Sequence, residues 1–298
     1  MPKHLPNSLS VSGERRVSVT SPVMRYFGGK FRMYQWLVGF FPQHQKYIEP
    51  FGGGGSVLMQ KARSYAEVYN DLDEDVVNVF RVLRDPDLAK ELQFACQLTP
   101  FARSEYEIAQ DDSSTDPVER ARRTLFRATA GFGSAAATKC RSGFRSDSNR
   151  EWSLAGHVWQ KYPSNIRSFC ERLQGVVIEN RPAREVIEQH ATVDSLTYLD
   201  PPYLPETRVM NGHRYYRHEM TCDEHEQLLA EIQKVPGYVL ISGYDSELYN
   251  DMLKGWHKHQ RFARAAAQKG TKVAVECVWL NPMTSDRIGQ PSLFGGAG

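Results

Sequence analysis

The stretch KYIEPFGGGGSVLMQKARSYAEVYND, residues 46 to 71, decides the fold. KYIEPF is apolar and short enough for a buried strand. GGGGSVLMQKA has the composition of a tight glycine turn that feeds a helix. AEVYND repeats the strand signal, and EDVVNVFRVLRD (residues 74 to 85) follows as a second helix. Strand, glycine turn, helix and strand in that order make a βαβ unit, which starts a doubly wound parallel sheet. Alternation resumes downstream with GVVIEN (175–180), AREVIEQH (183–190), LTYLD (196–200), DEHEQLLAEIQKV (223–235) and GYVLISGY (237–244). Thr221 and Glu224 have the spacing of a capping box at the start of the fourth of these. Upstream, Trp36, Leu37, Phe40 and Phe41 recur at helical spacing and predict a helix from Phe31 to Phe41.

Between residues 85 and 172 the strand signals stop. DPVERARRTLFRATAGF (116–132) is helical in pattern and runs into GSAAATKCRSGFRSDSNREW (133–152), a long loop rich in Ser, Gly, Arg and Asn. The expected organisation is a polar, disordered tail over residues 1–21, a discontinuous α/β domain over 22–84 and 173–298, and a mainly helical insertion over 85–172.

Composition narrows the function. The chain has 298 residues, 41% of them hydrophobic and 24% charged, an ordinary globular balance. No apolar run approaches the roughly 20 residues of a membrane span and the N-terminus has no signal-peptide pattern, so a cytoplasmic protein without membrane contact is expected. The five cysteines are scattered and include no C-x-x-C pair, which suggests neither a disulfide framework nor a zinc site. His218, Cys222 and His225 lack a fourth ligand, and no metal is expected.

The net charge of +2 conceals an asymmetry. From Arg120 to Arg172 eleven Lys and Arg residues face three acids, a local charge of +8 that leaves −6 for the remainder. A basic block within an acidic protein points to a polyanion partner. A second basic stretch runs from Lys254 to Lys272. Trp152, Trp159 and Tyr162, close to the first block, are read as core of the insertion.

The glycine turn lies where a ligand can approach the backbone. A dinucleotide fingerprint requires G-x-G-x-x-G, but Gly52 and Gly54 are followed by Val57. Asp71 closes the second strand, where a carboxylate can take both hydroxyls of a ribose. Glycines and a ribose acid without a diphosphate clamp suit a nucleoside cofactor, although a nicotinamide dehydrogenase stays open at this point. Finally, YLDPPYLPET (198–207) ends a strand on Asp200, Pro201, Pro202 and Tyr203.

RYFGGK (25–30), EPFGGGGSV (49–57), NDLD (70–73), a basic insertion and DPPY (200–203), in this order, resemble the Dam-type DNA adenine N6-methyltransferases over roughly residues 22 to 282. The resemblance implies a Rossmann-like sheet that uses S-adenosylmethionine, with an inserted target-recognition domain, acting on double-stranded DNA. It implies that Tyr26, Lys30, Glu49, Phe51, Gly52, Gly54, Asp71 and Asp200 bind the cofactor. Asp200, Pro201, Pro202 and Tyr203, with Lys30, would carry catalysis. For DNA contact the basic insertion offers Arg122, Arg127, Lys139, Arg141, Arg145, Asn149 and Arg150, and the free protein is expected to be a monomer. One departure stands out: where such enzymes often carry an acid for the cofactor's adenine, this chain has Asn180-Arg181-Pro182. Rival readings are a protein-glutamine or cytosine-N4 methyltransferase of the same fold, and a DNA-binding protein with an inactive core.

Overall fold

The computed structural model describes residues 19–111, 113–133, 142–146, 148, 154–207, 216–266 and 271–288, with backbone only for 263–266 and 271–274. Seven strands form one sheet: β1 (Lys46–Glu49), β2 (Ala66–Asn70), β3 (Val177–Glu179), β4 (Ser195–Leu199), β5 (Tyr238–Tyr244), β6 (His257–Ala266) and β7 (Thr271–Leu280). Their spatial order is β3-β2-β1-β4-β5-β7-β6. The first five run parallel, while β7 joins β5 antiparallel and carries β6 on its outer side. The chain winds outward from β1 through β2 to β3 and then restarts on the other side of β1 with β4. The strand order therefore reverses between β1 and β4, and open α/β sheets bind ligands at the carboxyl ends of such a pair. β4 is buried along its whole length, as expected of a strand covered on both faces.

The expected α/β fold is present as a Rossmann-like sheet. The β6–β7 hairpin extends the sheet beyond the expected strands, because charge in the basic stretch from Lys254 to Lys272 obscures the period-two pattern of β6. α1 is shorter than expected, covering Tyr34–Val38 instead of residues 31–41. Turns take up the flanks, and Gly39 and Pro42 close off any continuation.

Helix starts follow local chemistry. α2 (Ser56–Gln60) opens from Gly55, whose φ of 60° is left-handed. Asp73 caps α3 (Glu74–Arg84), accepting from the Asp75 and Val76 amides. Asp85 caps α4 (Pro86–Leu98) and Asp116 caps α6 (Pro117–Ala130), each with proline in the first turn. The short α5 (Arg103–Ile108) lies between them and α7 (Ala155–Leu173) returns the chain to the sheet. α8 (Ala183–His190), α9 (Cys222–Ile232), α10 (Glu247–Met252) and α11 (Pro282–Ile288) complete the fold. The Thr221–Glu224 capping box forms at α9.

α4, α6 and α7 pack on one another and on α3. One buried cluster runs from Tyr47 and Tyr69 of the sheet through Phe80 of α3 to Phe126 and Trp159 of the insertion. Trp159 donates to the Thr99 carbonyl and Tyr162 to that of Val23, so both belong to the core, whereas Trp152 lies outside the described residues.

Candidate active site

Three acids stand at or just beyond the carboxyl ends of adjacent strands: Glu49 on β1, Asp71 after β2 and Asp200 after β4. Asn70 ties the end of β2 to those of β1 and β3, donating to the Pro50 and Arg181 carbonyls and accepting from the Arg181 amide. The acids line a pocket that also receives Tyr26, Lys30, Phe51, Gly52, Gly54 and Pro202. The structure thus brings together all the residues expected to hold a cofactor. Pro201 and Tyr203 are buried and do not line this pocket.

The glycines serve the protein's own aromatic rings. A Cβ on Gly52 would lie 2.1 Å from the Tyr69 ring, and one on Gly53, whose φ is 48°, would lie 2.6 Å from that of Tyr26. Tyr69 also donates to the Gly53 carbonyl at 2.6 Å. Close packing of Tyr26 and Tyr69 on the turn therefore requires glycine, and the turn in turn forms the pocket floor.

Each acid has its own surroundings. Glu49 accepts from the Tyr47 hydroxyl at 2.7 Å and the Leu58 amide at 3.0 Å. Burial outweighs both bonds and pushes its carboxyl up to about 8. Asp71 accepts from the Gly53 amide and the Asp73 amide, each at 2.8 Å, and desolvation pushes it up to about 6. Asp200 is paired with Lys30, whose Nζ lies 2.9 Å from both carboxylate oxygens and also donates to the Gly28 carbonyl at 2.7 Å. Lys30 is 4% exposed. Burial disfavours its charge, but Asp200 and Glu276 more than offset this and raise its pKa.

Asn180 donates to the Asp71 carbonyl at 2.8 Å, so the side chain at the position where an acid was expected braces the turn after β2 instead. Sequence reasoning also missed Tyr216, Arg217 and Glu276. Tyr216 packs against Tyr26 and Phe27. Arg217 pairs with Asp73 at 3.3 Å and Asp75 at 3.1 Å, fastening the segment after the DPPY motif to the start of α3. The acids at the end of NDLDED were a legible signal for half of that contact. No local pattern marks Glu276.

The family model for D12 class N6 adenine-specific DNA methyltransferase matches residues 26–266. The chain belongs to this family. It is an adenine-specific DNA methyltransferase. It is 25% identical to a DNA adenine methylase of Haemophilus influenzae, covering 83% of this chain and 86% of that one. A DNA adenine methylase of Serratia marcescens is 24% identical, over 79% of this chain and 86% of that one. A type II methyltransferase of Methanocaldococcus jannaschii, M.MjaIII, is 23% identical, over 79% and 89%.

In this methyltransferase the α6 arginines are not where the charge count put them. Arg122 is buried, its guanidinium paired with Glu119 at 2.6 Å and Glu105 at 3.0 Å. Arg127 is 2% exposed and donates to the Ala109 carbonyl and Thr124 hydroxyl, with Asp75 3.9 Å away. The expectation that these two contact DNA is corrected: their positive charge is spent inside the fold. Arg120, Arg123, Arg167 and Arg172 also enter ion pairs, the last with buried Glu67 at 2.6 Å. Arg145 is described, its amide donating to the Ala130 carbonyl at 2.7 Å. Lys139, Arg141, Asn149 and Arg150 lie outside the described residues. Among the described residues no cluster of three or more His, Cys, Asp or Glu could hold a metal ion, and no helix is long and apolar enough to cross a membrane.

Proposed function

We propose that the pocket binds S-adenosylmethionine and that Asp200 clamps the amino group of an adenine swung out of double-stranded DNA. The observation that carries the reading is the pair of buried Lys30 with half-buried Asp200 at the end of β4, on the wall of an acid-lined glycine pocket at the β1/β4 reversal. The donor set suits this cofactor. Glu49, Asp71, Asp73 and Asp200 outnumber Lys30 and Arg217 in the pocket wall, so it favours a cationic nucleoside over a dinucleotide's negative diphosphate. Asp71 is the ribose acid, Glu49 and Phe51 flank the cofactor, and the Tyr26 and Tyr216 rings lie on the same pocket. When bound, S-adenosylmethionine supplies an electrophilic methyl on a sulfonium.

The chain's residues then act on the acceptor. The adenine amino nitrogen is a weak nucleophile because its lone pair is delocalised into the ring. Accepting its two N–H hydrogens at the Asp200 carboxylate and the Pro201 carbonyl favours a pyramidal nitrogen with its lone pair directed at the methyl carbon. The prolines restrict the direction of that carbonyl. As the N–CH3 bond forms and the C–S bond breaks, the nitrogen gains positive charge, and Asp200 stabilises it and takes the proton it sheds. Lys30 holds Asp200 in place before the base arrives. This is orientation with preorganised charge. The target nitrogen is stacked within a duplex, so the base must be flipped, and the Tyr203 ring beside Lys30 is the aromatic flank for it.

The insertion over residues 85–172 is the target-recognition unit, with the basic loop between α6 and α7 reading base edges through Arg141, Arg145, Asn149 and Arg150 while Lys139 contacts phosphate. The protein acts in the cytoplasm as a monomer. The test is incubation with duplex DNA and methyl-labelled S-adenosylmethionine, followed by nucleoside chromatography. Label is expected in N6-methyladenine, and Asp200→Ala should lower the rate about a thousandfold with fold and DNA affinity kept. Label in cytosine or in protein, or near-parental transfer by the variant, would overturn the reading.

A further inference from the structure

Glu276 lies 76 residues beyond Asp200 in sequence, on β7, and its carboxylate ends beside the DPPY motif. It is 8% exposed and accepts the Tyr203 hydroxyl at 2.7 Å. Its cross-strand neighbours are Tyr244 on β5 and Arg261 on β6. Tyr244 meets the Tyr203 ring edge-on at 4.7 Å, and the Lys30 ammonium lies 4.9 Å from the centre of the same ring. Lys30 feels the negative charge of both Asp200 and Glu276. One buried cation thus sits between two acids on the β4 side of the reversal, Asp200 in direct contact and Glu276 across the Tyr203 ring.

Such an arrangement is costly as mere scaffolding. A buried carboxylate is stable only when it is paired, and the backbone pairing of β7 does not itself require an acid at this position. We infer that Glu276 is a positioning residue for methyl transfer: it anchors the Tyr203 hydroxyl and balances the Lys30 ammonium, so that Lys30 and Asp200 keep one arrangement when the base enters. The inference rests on the clamp reading above. Burial raises the Glu276 carboxyl above the usual range, Asp200 adds to this, and Lys30 and Tyr203 oppose it. The other titratable or charged groups around it are Tyr198, Tyr244 and Arg261. Its anionic form does the positioning, so this contribution is present at high pH and is lost as pH falls through its raised pKa.

The test compares Glu276→Gln, Tyr203→Phe and the double variant in steady-state methylation across pH. Glu276→Gln keeps the shape and an acceptor for Tyr203 but removes the charge. It should lower kcat roughly ten- to hundredfold, the loss typical of a hydrogen bond to a charged group, with KM for the cofactor within about twofold. The acid limb of kcat should flatten. The double variant should be little worse than the more damaged single one, because both changes remove the same charge-assisted hydrogen bond. Parental kcat and pH profile in Glu276→Gln, or losses that multiply, would overturn the inference. If Glu276→Gln does not fold, Tyr203→Phe decides, since it removes the same bond from the other partner; parental kcat there overturns it equally. Asp200→Ala serves as control: activity surviving in that variant defeats the clamp reading and this inference with it, whereas an inactive control beside a parental Glu276→Gln defeats only the inference.

Discussion

The strand ends at the β1/β4 reversal and the helix α6 both looked functional in sequence because both are dense in charge, yet the fold treats them in opposite ways. At the strand ends Glu49, Asp71 and Asp200, far apart in sequence, meet in one pocket with their carboxylates directed at a ligand-sized space. On α6, Arg120, Arg122, Arg123 and Arg127 lie within eight residues, yet each finds an acid or a carbonyl within the protein. The difference lies in what sets the direction of the side chain. At the strand ends Glu49 and Asp71 are held by hydroxyl and amide donors that leave their charge unbalanced, and only Asp200 has a cation, Lys30, beside it. A helix packed on other helices turns every third or fourth side chain inward, where a buried arginine must be paired. A charged residue at a strand end is thus stronger evidence of a ligand than a run of charges on a packed helix.

That contrast can be broken by experiment. Arg127→Ala should destabilise the protein by about 3 kcal/mol, the cost of breaking a buried charge network, with no change in the salt dependence of DNA binding; chemical denaturation and titrations at several salt concentrations measure the two. Weaker DNA binding with stability unchanged would place this arginine on the DNA after all. Asp71→Ala should lower S-adenosylmethionine affinity by about 2 kcal/mol, since a carboxylate on ribose hydroxyls makes charge-assisted hydrogen bonds. Unchanged affinity in calorimetry would move the ribose contact elsewhere.

Glu49 sharpens the same side of the comparison. With its carboxyl pushed up to about 8, it is mostly protonated at neutral pH, and a cationic ligand must displace that proton. Affinity for S-adenosylmethionine should therefore rise with pH between about 6 and 8, by at most about tenfold per unit, and level off above that range. Glu49→Gln should flatten the profile, and a profile unaffected by that change would show that the acid stays neutral in the complex. The smallest effect is expected from Arg145→Ala on the loop after α6. If it contacts one phosphate, the slope of log affinity against log salt should fall by about 0.9 and all sequences should weaken alike; if it reads a base, preference should relax at one position of a randomised site library. An unchanged slope together with an unchanged preference would remove Arg145 from the interface.

The sequence by itself determined the first βαβ unit, the capping box at Thr221, and the pocket motifs from Tyr26 to Asp71, because these depend on residues close in the chain: an apolar run, a capping oxygen, glycines before a helix. The joining of RYFGGK, EPFGGGGSV and DPPY was legible through their resemblance, in this order, to the Dam-type DNA adenine methyltransferases. Partnerships of charge were decided only by the tertiary structure. Arg127 nears Asp75 only because α6 packs on α3, Arg172 reaches Glu67 across 105 positions, and Glu276 reaches Tyr203 only because β7 enters the sheet antiparallel beside β5. The physical reason is that a buried charge is stable only with its counter-charge, and sequence reports the charge without reporting which surface the fold will remove from water.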